Sequence, residues 1–349
     1  MAKVHSIFAV IARHLAALLY VVRNVLPVIL RSGRRPVAFS RWSGMGDIIC
    51  TFPAALELKK RHPSATFLYN CHPDFAPVVL MAGVADQCTH CTHDGVAGHW
   101  YRFLFGGFYH FAHGDDIPGE TSKESMVAEF CRQFGLPVQD EHPRIQPPLD
   151  VRNRARTRLI EAGLDPDALI IIHPGPSWPV REWPFEKWQE LVSGLRQQGF
   201  TDIVQIGVGR YSTVGKVRVN DVPGTVSLVD KLSLEEAFAV ISCAKLYIGI
   251  DSGPLHIAAA VGAPAVGLFG MTSPHTRFSR AYIRSFVISK VSCQGCYHRL
   301  PRVDWITGCP NDIQCMRTLP VDAVLCACLR ILRPDAIHSQ PNQIPWKQS

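Results

Sequence analysis

Three short stretches of this chain place polar and charged residues at spacings that suit chemistry at strand ends. The first, Arg41-Trp42-Ser43-Gly44-Met45-Gly46-Asp47, follows an apolar run and opens a helical one. Its glycines let a ligand approach the backbone closely, and Asp47 stands where a carboxylate either caps a helix or accepts a proton in catalysis. The second stretch, residues 173–184, holds Ser177 and Arg181 between a strand and a helix. A guanidinium there suits phosphate oxygens; the alternative is a proline-rich connection anchored by Trp178 and Trp183. The third ends a strand in Asp251, Ser252 and Gly253 and carries His256 in the first turn of the following helix. N–H groups at such a corner face an anion, and Ala258, Ala259 and Ala260 permit tight contact between helix and sheet. Further on, Cys293-x2-Cys296 with Cys309 and Cys315 offers four thiolates to a structural zinc, with free thiols or a disulfide as alternatives. Cys88-x2-Cys91 with His90 and His93 is a sparser version of the same pattern.

These residues need a scaffold that sets them at strand ends. From residue 37 the chain alternates short β-rich runs with helical patterns, the rhythm of parallel sheets covered by helices. The first series predicts strands over 37–40 and 66–70 and a helix over 47–61. Thr121 with Glu124 predicts a capping box for a helix that stops at Gly135. Residues 137–150, with four prolines, read as a linker. The second series predicts helices over 151–162 and 184–198, a Ser233–Glu236 cap, and a helix from near Pro254. Its strands fall at 169–173, 203–208, 246–250 and 265–269. The expected architecture is α/β, two Rossmann-like domains facing each other across a cleft, spanning 37–150 and 151–333, with an irregular tail over 334–349. Seven aromatics over 99–113 suit an acceptor lining, a lipid contact or an ordinary core.

In their order along the chain, the three stretches resemble glycosyltransferase family 9, the family of the lipopolysaccharide heptosyltransferases. The family's marks are a Ser-x-Gly-Asp near the start, a mid-chain His-Pro-Gly-x5-Lys-x-Trp-Pro, and Asp-[Ser/Thr]-Gly-x-x-His-x-Ala-Ala followed by Phe-Gly-x-Thr. The resemblance covers roughly residues 37–330. It implies a GT-B fold and an inverting, metal-independent transferase that requires no cofactor. The implied donor is a nucleotide sugar, ADP-heptose or a relative, and the implied acceptor is lipopolysaccharide or another membrane-linked glycan. Asp47 matches the base that deprotonates the acceptor hydroxyl, with Ser43, Gly44 and Gly46 on the acceptor side. Ser177, Arg181, Asp251, Ser252, Gly253 and His256 match donor-binding positions. Without a metal, such an enzyme neutralises the departing diphosphate with Arg181 and helix-start N–H groups. The chain departs from the family in having Arg181 for the usual lysine and Met271 for the usual proline. Its 207–212 loop also lacks the carboxylate that family members often offer the nucleotide ribose, with no acid before Asp221. A nucleotide-sugar epimerase or hydrolase, and a non-catalytic glycan-binding scaffold, are alternative readings of the same fold.

The 349 residues are 47% apolar and 19% charged, too apolar for disorder. The formal net charge is +7, but Lys3, Arg13, Arg23, Arg31, Arg34, Arg35 and Arg41 all precede the first acid, Asp47, and the remainder holds 29 charges of each sign. That balance excludes a generally basic nucleic-acid-binding surface. At 100° per residue, Val4, Ile7, Phe8, Ile11, Leu15, Leu18, Leu19, Val22, Val25 and Leu26 share an arc about 120° wide, with His5, Arg13, His14, Arg23 and Asn24 opposite. The pattern predicts a basic amphipathic helix, within a segment 1–36 broken at Pro27, lying on an anionic membrane surface through residues 4–26; packing on protein is the alternative. No run of 18 uncharged apolar residues predicts a spanning helix, and no small-residue cleavage site follows Val22. The expected location is cytoplasmic, peripheral on the inner face of the cell membrane, with most of the twelve cysteines reduced.

Overall fold

Short runs of β-branched and aromatic residues, each closed by a polar or glycine turn, form two all-parallel sheets. The computed structural model describes all residues except 1, 43, 92–93, 106, 113–123, 139–142, 176–177, 210–218, 279–285, 299–307 and 335–349. These residues fall into two units, Met1–Gln146 and Pro147–Ser349.

The first unit contains α1 (Ala2–Ser32), β1 (Pro36–Ser40), α2 (Met45–Arg61), β2 (Thr66–Asn70), α3 (Ala76–Met81), β3 (Gln87–Thr89), α4 (Asp94–Phe105), β4 (Phe108–His110) and α5 (Met126–Gln133). Its sheet runs β3-β2-β1-β4, with Pro36 paired to Thr66 and Ser40 to Asn70. Both central strands are buried along their whole length, so their two faces carry different partners. Phe39 stacks on Phe67 and meets Phe111, which packs on Phe130 of α5. Ala38 and Leu68, on the other face, meet α1 and Tyr101 of α4. The aromatic segment 99–113 is thus split between the end of α4 and β4, with Tyr101 and Phe111 buried and Phe103 exposed. The helix expected to begin at a Thr121–Glu124 box begins instead at Met126; Ser125 caps it, accepting from Ala128 N–H at 3.2 Å. Thr121 lies outside the described residues.

The break expected at Pro27 does not occur, because Pro27 lies inside one continuous 31-residue helix. An interior proline costs a helix about 3 kcal/mol. Burial of Val21, Val25 and Val28 against Ala38, Leu68, Cys91 and Tyr101 offsets that cost. The helix therefore packs on its own unit through small residues. Of the bulky arc, Val25 turns inward, whereas Phe8, Ile11, Leu15, Leu19, Val22 and Leu26 are exposed. Contrary to the expectation from charge-free runs, Phe8–Ser32 is long and apolar enough to cross a membrane by length and composition.

The second unit contains α6 (Leu149–Glu161), β5 (Ile170–His173), α7 (Phe185–Gln197), β6 (Ile203–Gln205), β7 (Val226–Ser227), α8 (Leu234–Ser242) and β8 (Leu246–Ile250). It continues with α9 (Gly253–Val261), β9 (Ala265–Phe269), α10 (Pro274–Arg277), β10 (Phe286–Ile288), α11 (Gln314–Arg317) and α12 (Val321–Leu332). The sheet order is β10-β9-β8-β5-β6-β7. Ser233 and Glu236 form the expected capping box of α8. β6 stops at Gln205, short of the expected Val208: the chain turns at Gly207, where a Cβ would lie 2.8 Å from Gly175 O. The core gathers Ile170, Ile172, Ile248 and Leu268 of the sheet with Trp188 and Leu191 of α7 and Val324 and Cys328 of α12. The expected irregular tail lies, from residue 335, outside the described residues.

Candidate functional site

In the first unit the strand order reverses between β1 and β4, and the carboxyl ends of strands at such a point are where open α/β sheets bind ligands. The turn from β1 into α2 is fastened on both sides. Arg41 N–H donates to Asn70 O at 3.1 Å and His72 N–H to Trp42 O at 2.9 Å, while the Arg41 guanidinium donates to Phe111 O at 3.3 Å. The same guanidinium holds Asp47 Oδ2 at 2.5 Å. Gly44 has φ 82°, and a Cβ there would lie 2.7 Å from Asp47 Oδ2, so the carboxylate folds back over a position that only glycine fills without strain. Gly46 is buried in the first turn of α2, and Ser43 lies outside the described residues. The result is a reachable carboxylate, 29% exposed, oriented by a guanidinium that is 12% exposed. That is the equipment of a proton acceptor.

In the second unit the order reverses between β5 and β8, and the second and third stretches end there. Asp251 is buried and accepts from Thr272 Oγ1 at 2.6 Å. Arg181 Nη1 lies 3.7 Å from its Oδ2 and donates to its backbone oxygen at 3.3 Å, and the guanidinium stacks on Trp178, 4.2 Å from the ring centre. Arg277, also buried, lies over the Tyr297 ring at 5.3 Å. Burial by itself raises the Asp251 pKa, but Arg181, Arg277, Thr272 and His256 outweigh it and hold the carboxyl below its ordinary value. His256, in the first turns of α9, stacks on Phe278 at 4.4 Å. Ser252 is the N-cap residue of α9 and Gly253 its first residue. Ser252 Oγ lies 3.2 Å from His173 Nδ1. Burial pushes His173 down to about 4, so it is a neutral imidazole at neutral pH. Two guanidiniums and a helix N-terminus around one buried carboxylate form a corner suited to phosphate oxygens. Ser177, assigned to this corner from the sequence, lies outside the described residues.

Three participants escaped the sequence. Arg41 stood in the first stretch, but its bond to Asp47 depends on the turn that Gly44 makes. Arg277 carries no local signal; it reaches Asp251 because α10 follows β9, the neighbour of β8. The loop after β6, which lacks an acid of its own, receives one from the far side of β7. Asp230 donates its N–H to Gly207 O at 3.0 Å and accepts from Gly209 N–H at 3.1 Å, with a positive φ of 57°.

The four cysteines proposed for zinc converge without forming a ligand set. Burial, then Cys293 and Cys309, raise the Cys296 thiol; burial, then Cys293, Cys296 and Cys309, raise Cys315 to about 11. Among the described residues no group of three or more His, Cys, Asp or Glu side chains is arranged to hold a metal ion, and none of the twelve cysteines is in a disulfide. Cys315 packs against Gly270, where a Cβ would lie 2.6 Å from its sulfur.

Residues 103–305 match the model of glycosyltransferase family 9 (heptosyltransferase). Lipopolysaccharide heptosyltransferase 3 of Escherichia coli strain K12 is 26% identical over 196 residues, which are 55% of this chain and 54% of that protein. The aligned stretches span about a third to about half the length of the curated relatives. Among solved structures, the chain resembles E. coli ADP-heptose LPS heptosyltransferase II, with TM-score 0.62 and 17% identity, covering 86% of this chain and 99% of that one. It also resembles the iron-containing dodecameric glycosyltransferase TibC from enterotoxigenic E. coli H10407, with TM-score 0.65 and 16% identity, covering 86% and 76%. The shared fold is the GT-B fold of two Rossmann-like units.

Proposed function

The chain belongs to glycosyltransferase family 9, and on that premise we propose that it moves a heptose-like sugar from a nucleoside-diphosphate donor, ADP-heptose or a relative, to lipopolysaccharide or another membrane-linked glycan. The observation that supports this best is the β8–α9 corner. There Arg181 and the start of α9 can receive the donor's diphosphate, and Asp251 holds Arg181 in place. Ser177, Ser252, Gly253 and His256 complete the donor's contacts.

In the reaction, the acceptor hydroxyl loses its proton to the Asp47 carboxylate while its oxygen attacks the anomeric carbon. The bond from that carbon to the diphosphate oxygen breaks, inverting the centre, and the electron pair leaves with the nucleoside diphosphate. Arg181 and the helix-start N–H groups stabilise the charge that develops there. Gly44, over which the Asp47 carboxylate folds, is assigned with Ser43 and Gly46 to the acceptor side. The reaction so written uses neither metal nor cofactor, and it takes place at the cytoplasmic face of the membrane that carries the acceptor.

The test is to incubate the full chain with ADP-heptose and a lipopolysaccharide acceptor lacking outer sugars, with UDP-sugars as controls, and to follow nucleoside diphosphate release together with acceptor mass. Coupled release and mass gain are expected. Release without acceptor would replace the reading with a hydrolase or epimerase. Calorimetry showing no affinity for any nucleoside diphosphate would replace it with a non-catalytic scaffold.

A further inference from the structure

We propose that the outer face of α1 is a surface by which this chain docks on an anionic lipid bilayer, lying in the plane of the headgroups. Phe8, Leu19 and Leu30 are 66%, 68% and 76% exposed, and Ile11, Leu15, Val22 and Leu26 are exposed with them. At 100° per residue all seven share an arc about 100° wide. The helix has no free choice of face, because its opposite side is already occupied: Ala17, Val21, Val25 and Val28 are packed onto Ala38 and Leu68. The outward stripe is a separate feature, and contiguous apolar surface of this kind marks an interaction site.

On α4, Trp100 meets His14 of α1 at 6.3 Å and Phe103 at 6.1 Å, and Phe103 is 79% exposed beside an exposed Leu104. The end of α4 is thus a second exposed apolar feature of the same unit.

Charge selects the occupant. Arg13, Arg23, Arg31 and Arg34 are exposed along and just after the helix, and no acid occurs before Asp47. An anionic lipid surface answers both features, with apolar side chains entering between headgroups that pair with the arginines. A second copy would set this acid-free segment against itself, with no carboxylate to meet its cations. Crossing the bilayer would strip α1 from Ala38 and Leu68, exposing the side of the sheet that it covers. Such docking suits a transferase whose acceptor is membrane-linked, but its readout is lipid binding and needs neither donor nor acceptor, so its failure would leave the transfer reading standing.

The experiment is co-sedimentation of the full chain with vesicles of phosphatidylcholine containing phosphatidylglycerol, and with vesicles of phosphatidylcholine alone, at low and high salt. Binding to the anionic vesicles is expected, weakened about tenfold on the neutral ones and at high salt. Leu15→Glu with Leu19→Glu should lower binding at least about tenfold while leaving the circular dichroism melt unchanged, both side chains being exposed. Arg13→Gln with Arg23→Gln should reduce the salt-dependent part and keep the rest, a second reading should the glutamates impair folding. Absence of binding by the parent chain would overturn the proposal, as would binding indifferent to both pairs of substitutions. Self-association abolished by Leu19→Glu without vesicle binding would assign the face to a second copy. Retention in the membrane after alkaline carbonate extraction would make α1 a spanning anchor.

Discussion

Each unit holds a carboxylate beside an arginine just past the end of a central strand, at the point where its sheet reverses order, yet the two pairs are built differently. Asp47 is 29% exposed and bound by one guanidinium through one oxygen, its carboxyl laid over a glycine. Asp251 is 4% exposed as a side chain, flanked by Arg181 and Arg277 and tied by Thr272. A group that must trade a proton with a substrate has to be reachable, whereas one that positions cations for a ligand works best sealed from water. The same residue type at equivalent places is thus a chemical group in one unit and a fixture in the other. Substitutions should separate the two roles. Asp47→Asn should lower kcat by about two to four orders of magnitude, with the donor's affinity unchanged in calorimetry. Its stability cost should be about 1–2 kcal/mol, since Arg41 loses a charged partner. A loss confined to KM would take the base role from Asp47 and erase the contrast.

Asp251→Ala should do the reverse, acting first on the fold. It leaves the half-buried Arg181 and the buried Arg277 without their carboxylate, and breaking a buried pair costs about 3–5 kcal/mol. Urea unfolding reads this directly, and a cost below that found for Asp47→Asn would overturn the assignment of Asp251 as the fixture.

Acid should single out the second unit. His173 has a folded value of about 4 against an ordinary 6.5. Between these values the unfolded chain binds more protons, so stability is complete above about pH 6.5 and falls by about 3 kcal/mol as pH drops toward 4. Asp251, whose carboxyl is held low, loses its contribution only below the ordinary carboxylate range, as pH falls through its folded value. Melting temperatures over pH 7 to 4 should therefore show a slope that His173→Asn removes; a slope unchanged in that variant would place the acid sensitivity elsewhere.

The elements that the sequence made legible were those whose local signals agree. β2, β8 and β9 match the expected limits because each is an unbroken β-rich run between turn residues, and α7 stops before Gly199, whose φ of 88° needs a glycine. β3, β4 and β10 have three residues each, too few to show a period. The motif residues were visible as types, but their partners were not. Arg41 meets Asp47 only through the turn at Gly44, and Arg277 with Asp251 and Asp230 with Gly209 meet through strand order that no local window contains. The face by which α1 packs on its own unit was not legible for a related reason. Periodicity locates the bulky side of a helix, and here that side faces outward while an inconspicuous row of alanine and valine makes the fit.

That row gives the smallest of the expected effects and extends the contrast between sealed and reachable groups from carboxylates to apolar side chains. Val21 is fully buried among Ala38, Leu68 and Tyr101, and Leu19, two residues earlier, is 68% exposed. Val21→Ala removes two methyl groups from a packed site and should cost about 2 kcal/mol in urea unfolding. Leu19→Ala removes more hydrocarbon yet should change stability by no more than about 0.5 kcal/mol, because that surface meets water in both states. The larger deletion giving the smaller effect is the signature of a helix anchored by its small face. Equal costs would mean that the bulky stripe is covered in solution, and a reversed order would mean that α1 packs through leucine and turns its valines outward.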